Sequence, residues 1–143
     1  MQKPFYEKHV HADPDLPFLL FDGVSQQRVT NKILHWHEDM EILQFIENSG
    51  VDFCNGQRIE PRSGDIVIIN PNALHTVCTT ADRVSYYCLI VDKAFSDQQK
   101  LPLSSMSFQM LVEKDTNIDR LFLELIREMH EKHLFFKQRM QAN

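Results

Sequence analysis

Residues 34–79 read LHWHEDMEILQFIENSGVDFCNGQRIEPRSGDIVIINPNALHTVCT, and this stretch decides the fold. It alternates short β-compatible runs with compact turns. Glu41 to Ile46 is an apolar run ended by Asn48-Ser49-Gly50. Val51 to Cys54 and Gln57 to Ile59 flank Asn55-Gly56, the strongest short-range hairpin signal, because both turn residues must take positive φ. Pro61-Arg62-Ser63-Gly64 turns the chain into a buried strand from Asp65 to Ile69, and Asn70-Pro71-Asn72 turns it again before His75 to Thr79.

Outward from this stretch the same rhythm continues. Phe18 to Phe21 is a short strand closed by Asp22-Gly23, and Val29 to His37 is another. Val84 to Val91 is aromatic and β-branched, and a weaker strand runs from Phe108 to Val112. Strands at this spacing, each bounded by Gly, Pro, Asn or Asp, indicate an antiparallel barrel or sandwich. No helix is visible between them, which excludes parallel βαβ units.

The period changes at Thr116. Thr116 to Asp119 is close to a capping box. Ile118, Leu121, Phe122, Leu125, Ile126, Met129, His133, Phe136 and Met140 then recur at three- and four-residue steps. That is one apolar stripe on a helix of more than ~20 residues. Packing on the barrel explains part of such a stripe. Its length also predicts pairing with a second chain through Leu121, Phe122, Leu125 and Met129. Three parts follow: an N-terminal arm over 1–16, a β-barrel over 17–114, and a linker or dimerisation helix over 115–143.

Composition bounds the partners. The chain has 143 residues, 43% of them hydrophobic, enough for one domain with a real core. Its net charge is −5 with no basic stripe, which argues against this chain gripping nucleic acid by itself. No apolar run approaches the roughly 20 residues a spanning helix needs, and Met1 to Val10 lacks the apolar centre of a secretory signal. Three cysteines, Cys54, Cys78 and Cys88, form no Cys-x-x-Cys pair and read as buried strand thiols. A cytoplasmic protein without membrane contact is expected.

The chemistry gathers on few residues. His35 and His37, two apart on a strand, share a face while Trp36 points the other way. Glu41 returns to that face after the Glu38-Asp39 break, and a second strand brings His75. Three imidazoles and a carboxylate are a ligand set for a first-row divalent ion such as Zn, Ni, Mn or Fe, with positions left open. A lone His-x-His would read as a satisfied core pair; the added Glu41 and His75 favour a pocket. Phe45 and Tyr86, or Tyr87, are its expected apolar walls.

His35-x-His37-x-x-x-Glu41, then Gly64-Asp65 and Pro71 to His75, resembles the two-part motif of the cupin superfamily. More narrowly, Leu34 to His75 resembles the N-terminal sensor domain of AraC-type transcription regulators, and the helix after Asp119 resembles their dimerisation helix. The resemblance spans Phe18 to Met140. It implies a double-stranded β-helix (a cupin or jelly-roll barrel) followed by a long amphipathic helix. It also implies a homodimer that senses a small-molecule effector through His35, His37, Glu41, Phe45, His75 and Tyr86, with no catalytic residues and no required cofactor. The DNA-binding half of such regulators is absent here, so an excised sensor domain is expected, or alternatively a free-standing cupin.

Metal-binding cupins place a glycine ahead of the first histidine, where Val29-Thr30 stand here. The second motif is one residue short, and Thr79 replaces the usual asparagine. These departures favour an organic effector over a bound ion. The competing reading is a metal-dependent cupin enzyme, an oxygenase or isomerase; a sealed structural barrel is a third. His9-x-His11 reads as part of a solvated arm, although in the resembling family the arm folds over effector, which makes Phe5, Tyr6, His9 and His11 candidate lid residues. His130 and His133 read as a solvated or interface face of the helix.

Overall fold

A computed structural model describes residues 3–10, 18–25, 33–47, 51–78 and 84–142. The chain divides into two compact units, Met1–Glu113 and Lys114–Asn143.

The first unit is built from two five-stranded sheets. In chain order the strands are β1 (Phe5–Tyr6), β2 (Phe18–Ser25), β3 (His35–Trp36), β4 (Met40–Glu47), β5 (Val51–Cys54), β6 (Gln57–Ile59), β7 (Ile66–Ile69), β8 (His75–Cys78), β9 (Val84–Val91) and β10 (Leu111–Val112). One sheet runs β1-β3-β8-β5-β6 and the other β10-β7-β4-β9-β2. A closed barrel was the expectation, and it is corrected: among the described residues no ladder joins the two sheets. Edge strands β1 and β10 are two residues each.

Local chemistry explains the turns. Asn55 and Gly56 take φ of 47° and 78°, as the hairpin between β5 and β6 requires. Gly64 has φ 90° and donates its N–H to the Phe45 carbonyl at 2.8 Å. The Asp65 carboxylate accepts from the Arg62 N–H at 2.8 Å, which closes the turn into β7. Asn72, at φ 66°, donates its N–H to the His37 carbonyl, so the turn before β8 is tied to the residue that follows β3.

Two sequence expectations need correcting. Asp22-Gly23 does not end β2, which stays in register with β9 through Ser25 opposite Val84. Eight consecutive cross-strand pairs outweigh one glycine's weak strand preference. A short helix, α1 (Lys93–Gln98), also follows β9, capped by the Asp92 carboxylate accepting from the Phe95 N–H. Six residues are too few to show a period, so the helix left no trace in the sequence pattern.

The core lies between the sheets and includes Leu43, Phe45, Cys54, Val67, Ile69, Val84, Cys88 and Ile90. Cys54 and Cys88 are buried, and Cys78 is half-buried.

The second unit carries α2 (Thr116–Ala142), a helix of 27 residues. Asp115, rather than Thr116, caps it: its carboxylate accepts from the N–H groups of Asn117 and Ile118 at 2.8 and 3.1 Å. Arg120 and Glu124 pair along its surface at 3.0 Å. Leu121 is exposed, Phe122 buried, and Leu125 and Met129 half-buried. Neither unit contains, among the described residues, a helix long and apolar enough to cross a membrane.

Candidate functional site

The register of β4 and β9 sets one wall. Glu41 stands opposite Ile90, Leu43 opposite Cys88, and Phe45 opposite Tyr86. With a period of two, these six side chains face the same side of their sheet. The other sheet places His75 opposite both His35 and Cys54. Between the two walls is a cavity of about 280 Å³, whose polar lining is Glu7, His9, His35, Glu41 and His75. Leu43, Phe45, Val77, Tyr86, Cys88 and Ile90 form the apolar remainder.

The structure thus brings His35, Glu41, Phe45, His75 and Tyr86 to one cavity. Tyr87, on the opposite face of β9, does not line it. His37 is only 1% exposed and stands outside the lining, meeting the cavity residues through Glu41 and through the His9 ring at 4.4 Å. His11, Val29-Thr30 and Thr79 lie outside the described residues.

Backbone carbonyls orient the imidazoles. A carbonyl oxygen only accepts, so each contacting ring nitrogen carries the proton. His37 Nδ1–H donates to Asp39 O at 2.9 Å, His75 Nδ1–H to Ala73 O at 2.8 Å, and His35 Nδ1–H to Ile33 O at 3.2 Å. The Nε2 atoms of His37 and His75 are left pointing at the same oxygen, Glu41 Oε2, at 2.9 and 3.3 Å. The second approach is poorly aligned, so the buried His75 Nε2 has no hydrogen-bond partner. The Cys88 thiol donates to Glu41 Oε1 at 3.5 Å.

Charge follows from these contacts. Burial works to raise the Glu41 carboxyl, but the His37 bond and the adjacent His75 ring outweigh it and hold the group ionised, well below the usual carboxylate range. Burial works to lower His75, and Glu41 beside it wins, leaving the ring easier to protonate than usual. His35 moves the opposite way, lowered by burial and by His75. Burial, reinforced by Glu41, pushes the Cys88 thiol far up, so it stays protonated. The cavity therefore offers a fixed carboxylate, a ring inclined to donate and a ring inclined to accept.

Side chains from the arm complete the site. β1 pairs in parallel with β3, Phe5 opposite His35 and Tyr6 opposite Trp36. Glu7 Oε2 lies 3.1 Å from His35 Nε2, and His9 Nδ1 lies 2.9 Å from Asp39 Oδ2. The expectation of a solvated arm is corrected: the His9 side chain is 8% exposed. The Asp39 bond, reinforced by Glu7, raises the affinity of His9 for a proton against the effect of burial. The sequence does not single out Glu7, Leu43, Val77, Cys88 and Ile90 as pocket residues as it does the histidines. Strict alternation from Glu41 and from Tyr86 is a usable signal for Leu43, Cys88 and Ile90. Glu7 has none, since a parallel pairing across about thirty residues leaves no local pattern.

The donor set fits a divalent ion. Ligand atoms of His35, His37 and His75 lie within 4.8 Å of one another, and rings tied at Nδ1 to carbonyls present Nε2 in the orientation metal-binding histidines adopt.

Comparison with known proteins agrees with this architecture. Residues 18–141 match the family model described as AraC-like ligand binding domain. Over 115 residues the chain is 28% identical to the Uncharacterized HTH-type transcriptional regulator YdeC of Bacillus subtilis (strain 168), covering 79% of this chain and 38% of that protein. The chain is thus similar to well under half the length of that relative.

Among solved structures, it is similar to unsaturated fatty acid-bound ToxT from Vibrio cholerae strain SCE256. That match has TM-score 0.56 and 13% identity, over 77% of this chain and 46% of that one. It is also similar to a Cupin 2 conserved barrel domain protein from Salinispora arenicola CNS-205, with TM-score 0.51 and 23% identity over 63% and 76% of the two chains. At these identities the likeness is one of fold.

Proposed function

Because this chain belongs to the family of AraC-like ligand-binding domains, we propose that it is the effector-sensing and dimerisation part of an AraC-type transcription regulator. The carrying observation is the cavity between the sheets, apolar over most of its wall and capped by His35, Glu41 and His75. A volume of about 280 Å³ is at the lower end of small-molecule pockets. It suits a ligand with a hydroxyl-bearing end and a compact apolar body. Glu41 accepts from that hydroxyl, His75 donates to it, and Phe45 and Tyr86 enclose the body.

The proposed division of labour assigns 1–16 to an arm, 17–114 to the ligand-holding β unit and 115–143 to a dimerisation helix that uses Leu121, Phe122, Leu125 and Met129. Ligand binding would bias two arrangements of arm or helix, and so the presentation of DNA-binding helices carried elsewhere in a cytoplasmic regulator. DNA would be contacted only through those helices.

A divalent ion (Zn, Ni, Mn or Fe) is optional in this reading. His35, His37, Glu41 and His75 would hold it, and it would supply a Lewis acid for an oxygen of the effector. The same donor set favours the competing reading, a metal-dependent cupin enzyme. Substrate turnover by the metal-loaded protein, lost in His37→Ala, would establish that reading instead.

Thermal-shift screening of hydroxylated aromatic compounds, monosaccharides and divalent ions tests the sensor reading. A ligand at a hundred times its Kd stabilises by about 2.7 kcal/mol. The expected result is such a shift in the wild type and its loss in the Glu41→Gln, His75→Gln double variant. Equal shifts in both proteins would overturn the pocket. A monomer in sedimentation, unchanged by Leu121→Glu, would remove the dimer half.

A further inference from the structure

The arm is anchored chiefly through polar groups. Its ladder is two residues long, and Phe5 and Tyr6 remain 46% and 48% exposed. Glu7 and His9 instead reach into the cavity, where they meet groups able to ligate a metal. Ligand atoms of Glu7, His9 and His37 lie within 4.8 Å of one another, a second cluster sharing His37 with the three-histidine one.

His9 Nδ1 is engaged by Asp39, which leaves Nε2 turned toward Glu7 Oε1 at 3.6 Å, too far for a strong hydrogen bond. Close by, the 2% exposed His75 holds its Nε2 without a partner. Buried polar atoms are ordinarily satisfied, so an unpaired imidazole nitrogen among five further donor side chains points to a missing cation. The three imidazoles and Glu41 supply four donors, so a divalent ion that takes five or six ligands still has room for donors from the arm.

We propose that Glu7 and His9 of the arm, together with His37, ligate the divalent ion that enters this pocket, so that the ion ties the arm to the β unit. The inference rests on the pocket accepting such an ion, and it adds that ion binding and arm docking are one coupled event. An ion bridging the two segments stabilises the docked arm by as much as the docked arm raises ion affinity.

The test uses the full chain, stripped with a chelator and titrated with Zn²⁺ by calorimetry while tryptophan emission is followed. The chain has a single tryptophan, Trp36, and the Tyr6 ring packs 4.9 Å from it, so its emission reports the arm. In the wild type Zn²⁺ should bind and shift the emission. Glu7→Gln and His9→Gln should each weaken Zn²⁺ binding by about tenfold or more and abolish the shift. Lys8→Ala, at an exposed arm position that offers neither a ligand nor a docking contact, should keep its affinity within about threefold of wild type.

Affinities within twofold of wild type in both Glu7→Gln and His9→Gln would overturn the proposal while leaving an ion site between the sheets. No Zn²⁺ binding by the wild type would overturn ion site and arm coupling together. Sensing of an organic effector would stand or fall separately, on the thermal shifts.

Discussion

The two ends of the cavity are held by different physics. The apolar end is made by strand interiors: Leu43 and Phe45, opposite Cys88 and Tyr86, sit in continuous ladders whose register leaves them one orientation. The polar end is made by strand ends and loops. His35 lies on a two-residue strand, His37 just beyond it, His75 at the first position of β8, and Glu7 and His9 on the arm. Burial secures the first end, whereas carbonyl acceptors and the carboxylates of Glu7, Asp39 and Glu41 secure the second. The apolar end should therefore carry stability, and the polar end should carry binding and pH response.

The sharpest way to break that contrast is Phe45→Ala. Phe45 is 1% exposed, and its truncation enlarges an existing cavity, so a loss of about 3–5 kcal/mol is expected in urea unfolding. A loss under about 1 kcal/mol would mean that the apolar end is not what holds the sheets together.

Glu41→Leu removes the acceptor of the His37 hydrogen bond and the carboxylate that lies 3.3 Å from His75. A destabilisation of about 1–3 kcal/mol should follow, together with loss of effector and ion binding. Retained binding would sink the assignment of Glu41 to the site.

The same carboxylate sets the pH profile of metal-free protein. Glu41 is lower in the folded chain than in the unfolded one, so its contribution is present above about pH 4.3 and is lost as pH falls below that. His75 and His9 are raised, so theirs is complete below about pH 6.5 and is lost as pH climbs through the raised folded values. Unfolding free energy measured in EDTA should form a plateau between these limits, and Glu41→Leu should weaken both flanks while leaving the contribution of the His9–Asp39 pair. A profile that keeps rising above pH 7 would contradict it.

The smallest effect belongs to Gly56→Ala. No atom lies within 4 Å of the added Cβ, yet φ is +78°, so about 1 kcal/mol of backbone strain should appear without any change in binding. Unchanged stability would show that the hairpin relaxes freely.

Much of the fold and the site is legible in the residues themselves. Asn55-Gly56 announces its hairpin because few residue pairs tolerate two positive φ angles. Glu41, Phe45 and Tyr86 are readable as pocket residues because side chains alternate along a strand. His35 and His75 follow from motif order and prove to be direct cross-strand partners. Sequence patterns fall short where the deciding contact is distant or the element short. β2 outruns Asp22-Gly23 because β9 lies beside it, and α1 is too brief to show a period.

By itself the sequence determined the antiparallel β architecture, the C-terminal helix and the identity of most ionisable groups at the site, because turn chemistry and periodicity are local properties. Only the tertiary structure decided that no ladder joins the two sheets among the described residues, and that His37 reaches the site through Glu41 rather than by lining the cavity. It alone also brought Glu7 and His9 in from the arm. Those outcomes depend on which distant segments meet, and neither spacing nor composition encodes that for a polar arm joined by two residue pairs.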